Sequence, residues 1–268
     1  MVETGKFADL RRWLDGIEPE ERRGEVAVTI AARAALRWVP LLRSSLEVPQ
    51  EQQIRHLSLV LLPALRAVAS PWVISRFPTR RNELRQSIQE SDAFAFRYKA
   101  PSPAAYAITA ASFAVALKTE GVGEDALDVA VAAVVSTAET DAEAHIEDAK
   151  RIAAGSSAAD LSSAPLWLNG TPPWATGAWR ELKALLLADS EDWRVWTRWY
   201  EARLAGDYSG PPIEALEVAR AKIDEKVWYQ GPRAVNAEIA RLIELHTPKP
   251  TAAPDPELGS ALAVTTAN

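Results

Sequence analysis

The sequence predicts an all-α protein: a multi-helix array, then a tryptophan-rich four-helix module at the C-terminal end, then a disordered tail. Two observations lead there. Apolar residues recur at spacings of three and four through most of the 268 residues, the period of a helix with one buried face. No run of alternating β-branched residues bounded by turn residues stands out, which removes the usual signature of strands. With 48% hydrophobic and 25% charged residues, the composition is that of an ordinary packed chain and not of a disordered one.

Taken in order, residues 25–46 place Ala27, Ile30, Ala31, Ala34, Trp38, Leu41 and Leu42 on one stripe, with Arg33 and Arg37 off it and Pro40 positioned to kink the helix. A second helix is expected over 50–69, interrupted near Pro63, and a third from Thr79, whose hydroxyl is placed to cap it. Two alanine-rich helices, 102–119 and about 124–154, are expected to pair as an antiparallel hairpin across Gly121–Val122–Gly123.

Residues 155–173 are rich in Gly, Ser, Pro and Asn and mark a boundary. This gives an N-terminal array over 1–155, a helical module over 165–246 and a tail over 247–268. Seven of the ten tryptophans fall after residue 155. In the module, Trp174, Ala178, Leu182 and Leu185 form one stripe, Ser190 is placed to cap a helix over 191–204 and Gly206 ends it. Pro211–Pro212 and Gly231–Pro232 open two further helices.

The module contains Trp196-x-x-Trp199-Tyr200-x-x-Arg203-Leu204-x-Gly206 and Trp228-x-x-Gly231-Pro232-x-x-Val235-Asn236-Ala237. Together with residues 7–42, these patterns resemble uncharacterised helical proteins of alphaproteobacteria. The likeness covers about half the chain. It implies a bacterial, cytoplasmic protein and brings no activity with it.

Composition narrows the chemistry. There is no cysteine, so disulfides, thiolate zinc sites, iron–sulfur clusters and cysteine nucleophiles are excluded. A net charge of −6 argues against chain-wide attraction to nucleic acid or anionic lipid. The apolar stretches 26–42, 57–68 and 126–138 are cut by Arg33 and Arg37 or too short to cross a bilayer, so no membrane partner is expected. The phosphate loop, the dinucleotide glycine fingerprint, His-Glu-x-x-His and the Gly-x-Ser-x-Gly elbow are missing from the sequence, and no cofactor is implied.

Four groups of residues remain as candidates. Trp193, Trp196, Trp199, Tyr200 and Arg203 spread over two adjacent helix lines, wider than one core stripe needs. They read either as core or as a protein-interaction surface rich in the residue types that dominate hot spots. Asn236, on the face of Ile239 and Ile243, reads as a structural clamp for the loop around Trp228 and Gly231.

Arg76, Arg80, Arg81 and Arg85, followed by Phe94, Phe96, Arg97, Tyr98 and Lys99, form a basic and aromatic cluster. It suits nucleic acid or is a solvated helix face. Asp141, His145 and Asp148 share a helix face at four- and three-residue spacing and would suit a metal, against the plainer reading of a surface histidine paired with a carboxylate. The resulting expectation is a non-enzymatic adaptor or scaffold that binds a protein partner or itself, with an unrecognised metal-assisted enzyme or a nucleic-acid binder as alternatives.

Overall fold

A computed structural model of the chain describes residues 11–46, 57–97, 128–132, 138–208 and 213–248. The fold is all-α, with no strand among the described residues. Helix α1 (Glu20–Trp38) opens with Glu20 and Glu21 at its positive end and is buried from Val26 onward. It tightens into a 3₁₀ segment, Val39–Leu46, at the position of Pro40, where the missing amide prevents the α-pattern from continuing.

A π-helical turn, Leu57–Leu61, leads into α2 (Leu62–Arg76), which places Pro63 in its first turn and continues through Pro71. Every residue of α2 from Leu62 to Ser75 is buried, so this is the central helix. It packs on α1, on α3 (Arg81–Arg97) and on the short α5 (Ala158–Ser163). The stretch Leu59–Arg76, which joins the end of the π-helical turn to α2, is apolar and long enough to cross a membrane, but most of it is enclosed by the fold. Thr79 does not cap α3 as expected. It lies inside a 3₁₀ turn, Pro78–Arg80, that precedes the helix, and no side chain caps that turn.

The remaining elements are α4 (Ala138–Ala153), α6 (Pro173–Ala188), α7 (Arg194–Ala205), α8 (Ile213–Ala221), α9 (Glu225–Tyr229) and α10 (Pro232–His246). On α6 the buried stripe is Ala175, Trp179, Leu182 and Leu186, rotated by one residue from the Trp174–Ala178–Leu182–Leu185 line. Ser190 does not cap α7. Instead Asp189 accepts from the Glu191 amide at 2.8 Å and from the Trp193 indole at 3.0 Å, and the helix starts later, at Arg194.

Gly206 does end α7, in the left-handed conformation at φ +65°, and a Cβ there would lie 2.6 Å from the Pro165 nitrogen. Gly231 precedes Pro232 at the start of α10 with φ +93°. The alanine-rich pairing across Gly121–Val122–Gly123 lies outside the described residues, as does the tail beyond Pro248.

The boundary at 155–173 is not an open linker. Its first part is α5, opened by a capping box between Ser157 and Asp160. Leu161, Leu166 and Trp167 join the same core cluster as Leu36, Trp72, Trp196 and Ile239. The array and the module therefore share one interior. Trp72 of α2 meets Trp199 edge-on at 6.3 Å and stacks on Tyr208 at 5.7 Å.

Candidate functional site

Two buried clusters of guanidinium and carboxylate groups lie on either side of the connector 161–166. In the first, Arg33 and Arg37 project from α1 one turn apart, and both converge on Asp148 of α4. Arg33 Nε donates to Asp148 Oδ2 at 3.0 Å and Arg37 Nη2 donates to the same oxygen at 2.7 Å. The three side chains are between 0 and 2% exposed.

Two cations facing one anion leave an excess positive charge in the interior, which burial makes costly. The connector offsets it. Arg33 Nη1 donates to the Leu161 carbonyl at 2.8 Å and to Ala164 at 3.1 Å, and Nη2 donates to Pro165 at 2.8 Å and Leu166 at 3.1 Å. Arg37 adds two bonds to the Leu166 carbonyl, at 2.9 and 2.8 Å.

His145, one turn before Asp148, faces Arg37 Nη1 at 3.2 Å. Since a guanidinium can only donate, Nδ1 of this imidazole is the acceptor. Burial, reinforced by Arg37, lowers the His145 pKa to about 3, so the ring is neutral. Burial alone would push the Asp148 carboxyl up, but Arg37 and Arg33 hold it below the usual carboxylate range.

The second cluster is built on α7 and α8. Arg203 Nη1 donates to the Trp199 carbonyl at 2.9 Å, and its Nη2 sits 2.8 Å from Glu217 Oε1. Arg220 Nη1 donates to both Glu217 oxygens at 3.0 and 3.1 Å, and the Trp199 indole donates to Oε2 at 3.0 Å. The Arg203 guanidinium lies between the faces of Trp72, at 3.9 Å, and Trp199, at 4.3 Å. Burial, opposed by Glu217, lowers Arg203 to about 10. Burial raises Glu217, yet Arg203 and Arg220 outweigh it and keep the carboxyl low.

The connector meets this cluster too. The Ser162 carbonyl accepts from the Trp72 indole at 3.3 Å and from the Tyr208 hydroxyl at 3.2 Å. The Leu166 amide donates to the Leu204 carbonyl at 3.2 Å. Five of the six carbonyls from Leu161 to Leu166, all but that of Ser163, are thus bound by side chains, four by arginines of α1 and that of Ser162 by Trp72 and Tyr208 from the two halves of the chain.

Compared with family models, curated proteins and solved structures, the chain matches none. Function has to be read from the geometry.

That geometry overturns the interaction surface as located from sequence. Trp193, Trp196, Trp199, Tyr200 and Arg203 are all between 0 and 3% exposed. The second helix line did not imply an outward face, because α7 is packed on more than one side: Trp179 meets Tyr200 at 4.4 Å, Trp228 meets Trp196 at 6.4 Å, and Trp72 meets Trp199. Asn236 is a clamp, but with other partners than expected. Its Oδ1 accepts from the Trp196 indole at 2.9 Å and its Nδ2 donates to the Glu191 carbonyl at 2.7 Å, while Trp228 donates to the Ile223 carbonyl at 3.2 Å.

The metal reading does not hold for the residues described. Asp148 Oδ2 is taken by two guanidiniums, whose positive charge opposes a cation beside His145. The side chain of Asp141 lies outside the described residues. No group of three potential ligands occurs among the described residues.

The basic patch is neutralised only in part. Arg80 pairs with Glu214 at 2.7 Å and Glu83 at 3.1 Å, and Arg81 lies 3.9 Å from Glu25. Arg76 packs over the Phe77 ring, and Arg85 donates to Asn82. The side chains of Phe94, Phe96 and Arg97, and residues Tyr98 and Lys99, lie outside the described residues. Sequence reasoning did not single out Arg33, Arg37, Glu217 and Arg220: the anion of the first two is more than a hundred residues away, and the short-range Glu217–Arg220 pair carries no sign of burial in the sequence.

Proposed function

We propose that the chain is a non-catalytic helical scaffold of the bacterial cytoplasm that presents the outer faces of its helices to a protein partner or to a second copy of itself. The observation behind this reading is the inward direction of its charged chemistry. The perturbed groups Arg33, His145, Asp148, Arg203, Glu217 and Arg220 are all enclosed and engaged with one another or with backbone carbonyls, and Arg66, lowered by burial to about 10, is enclosed over the Trp228 ring.

Groups held this way set geometry and are poorly placed to meet a substrate. A rigid body of this kind offers surfaces instead. Leu187, Tyr229 and Leu245, exposed by 47, 49 and 65%, are its large outward apolar residues on α6, α9 and α10. The location named from sequence is replaced here, and the bacterial, cytoplasmic setting rests on the resemblance alone.

Affinity capture of the full chain from its native cytoplasm tests the proposal when a second bait carries Leu187→Asp, Tyr229→Ala and Leu245→Asp. A partner, or additional copies, retained by the natural chain and lost from a variant that melts normally is the expected result. If both baits retain the same species, or neither retains any, the reading is abandoned.

A further inference from the structure

Outside the two sealed clusters, Arg81 combines a buried nitrogen that has no hydrogen-bond partner with a place on a cleft. It lines a cleft of about 160 Å³ where α1, the end of α2, the start of α3 and the first residues of α5 converge. The apolar wall is Val28, Ile74, Pro78 and Ala158, and the charged side chains are Glu25 and Arg81. Such a mixture, mostly apolar with a few fixed polar groups, is the usual make-up of a small-ligand site.

The pair is not closed. Arg81 Nη2 stands 3.9 Å from Glu25 Oε1, whereas a carboxylate gripped by arginine lies at about 2.7–2.9 Å. Arg81 Nε is buried with no hydrogen-bond partner. Neither neighbouring hydroxyl accepts from it: Ser75 has its proton on the Pro71 carbonyl at 2.8 Å, and Ser157 pairs with Asp160. An under-coordinated guanidinium faces a carboxylate across a gap, with greasy walls on the remaining sides.

We infer that this cleft binds a small zwitterion, an α-amino acid with a short aliphatic side chain, its carboxylate on Arg81, its ammonium on Glu25 and its side chain against Val28 and Ile74. The charges of the cleft cancel, so a simple anion would meet Glu25 and a simple cation would meet Arg81. A molecule carrying both charges satisfies each without displacing either. The volume suits it as well, since about 160 Å³ is roughly five waters' worth of liquid. This inference is independent of the scaffold proposal, because the cleft shares no residue with Leu187, Tyr229 or Leu245.

Isothermal titration of the full chain with L-valine, isobutyrate and isobutylamine tests it. Saturable binding of L-valine is expected, with each half-ligand weaker by about tenfold or more. Glu25→Gln and Arg81→Met each lower the L-valine affinity by about tenfold with the unliganded melting temperature kept, and Ala159→Leu, which fills the cleft and keeps both charges, abolishes it. No saturable L-valine binding, isobutyrate binding as tightly as L-valine, or variants that bind like the natural chain would each overturn the inference.

Discussion

Both buried clusters set two arginines against one carboxylate, yet they neutralise the surplus charge differently. Around Asp148, the excess is absorbed by backbone: four carbonyls of the connector take six bonds from Arg33 and Arg37. Around Glu217, it is absorbed by aromatic faces, with Arg203 held between Trp72 and Trp199. Carbonyl solvation is directional and depends on the fork shape of the guanidinium, whereas a ring face attracts any cation placed over it. The first cluster should therefore be the less tolerant of the two.

Removing the shared anion has the largest effect. Asp148→Ala is expected to cost about 3–5 kcal/mol in urea denaturation, the range for leaving buried charge without its partner. A loss below about 1 kcal/mol would show that the carbonyls alone suffice. The comparison then sharpens with lysine replacements. Arg37→Lys loses directional bonds and should cost about 2–3 kcal/mol, while Arg203→Lys keeps a cation over two rings and should cost about 1–2 kcal/mol. The reverse order in denaturation midpoints would break the distinction drawn here.

Acid should separate the clusters as well. Unfolded, His145 takes up a proton near pH 6.5; folded, it stays neutral down to about 3. Its contribution to stability is therefore whole above pH 6.5 and falls as pH is lowered, by on the order of 2 kcal/mol between pH 7 and 5. Melting curves of the natural chain and of His145→Gln should diverge over that interval, and parallel curves would refute the assignment. Asp148 and Glu217, both held low, add a further loss only below the ordinary carboxylate range. The smallest effect is at the surface. Arg80→Ala removes exposed pairs with Glu83 and Glu214 and should leave the melting temperature nearly unchanged.

The helices themselves were legible because local signals set them: Gly206 and Gly231–Pro232 mark ends that the structure keeps. The clusters were not. Arg33 and Arg37 lie off the apolar stripe of α1 and look like solvent-facing charge, and their anion is more than a hundred residues away. The triplet around His145 had helical spacing that fits a metal, but spacing carries no information about the guanidiniums that claim Asp148. The tryptophans of α7 misled for the same reason. Whether an indole is covered depends on Trp72 and Trp228, which no window around residue 199 contains. Ser157-x-x-Asp160 was a readable capping box and would have revealed α5 inside the supposed boundary.

The grip on residues 161–166 ties the folding of the two halves together. Severing the chain between 155 and 165 would separate Arg33 and Arg37 from the carbonyls they hold, and Trp72 from Tyr208, so neither fragment inherits a finished core. The described helices are expected to unfold together, and the Leu166 amide, bonded to Leu204, should exchange with solvent among the slowest of them.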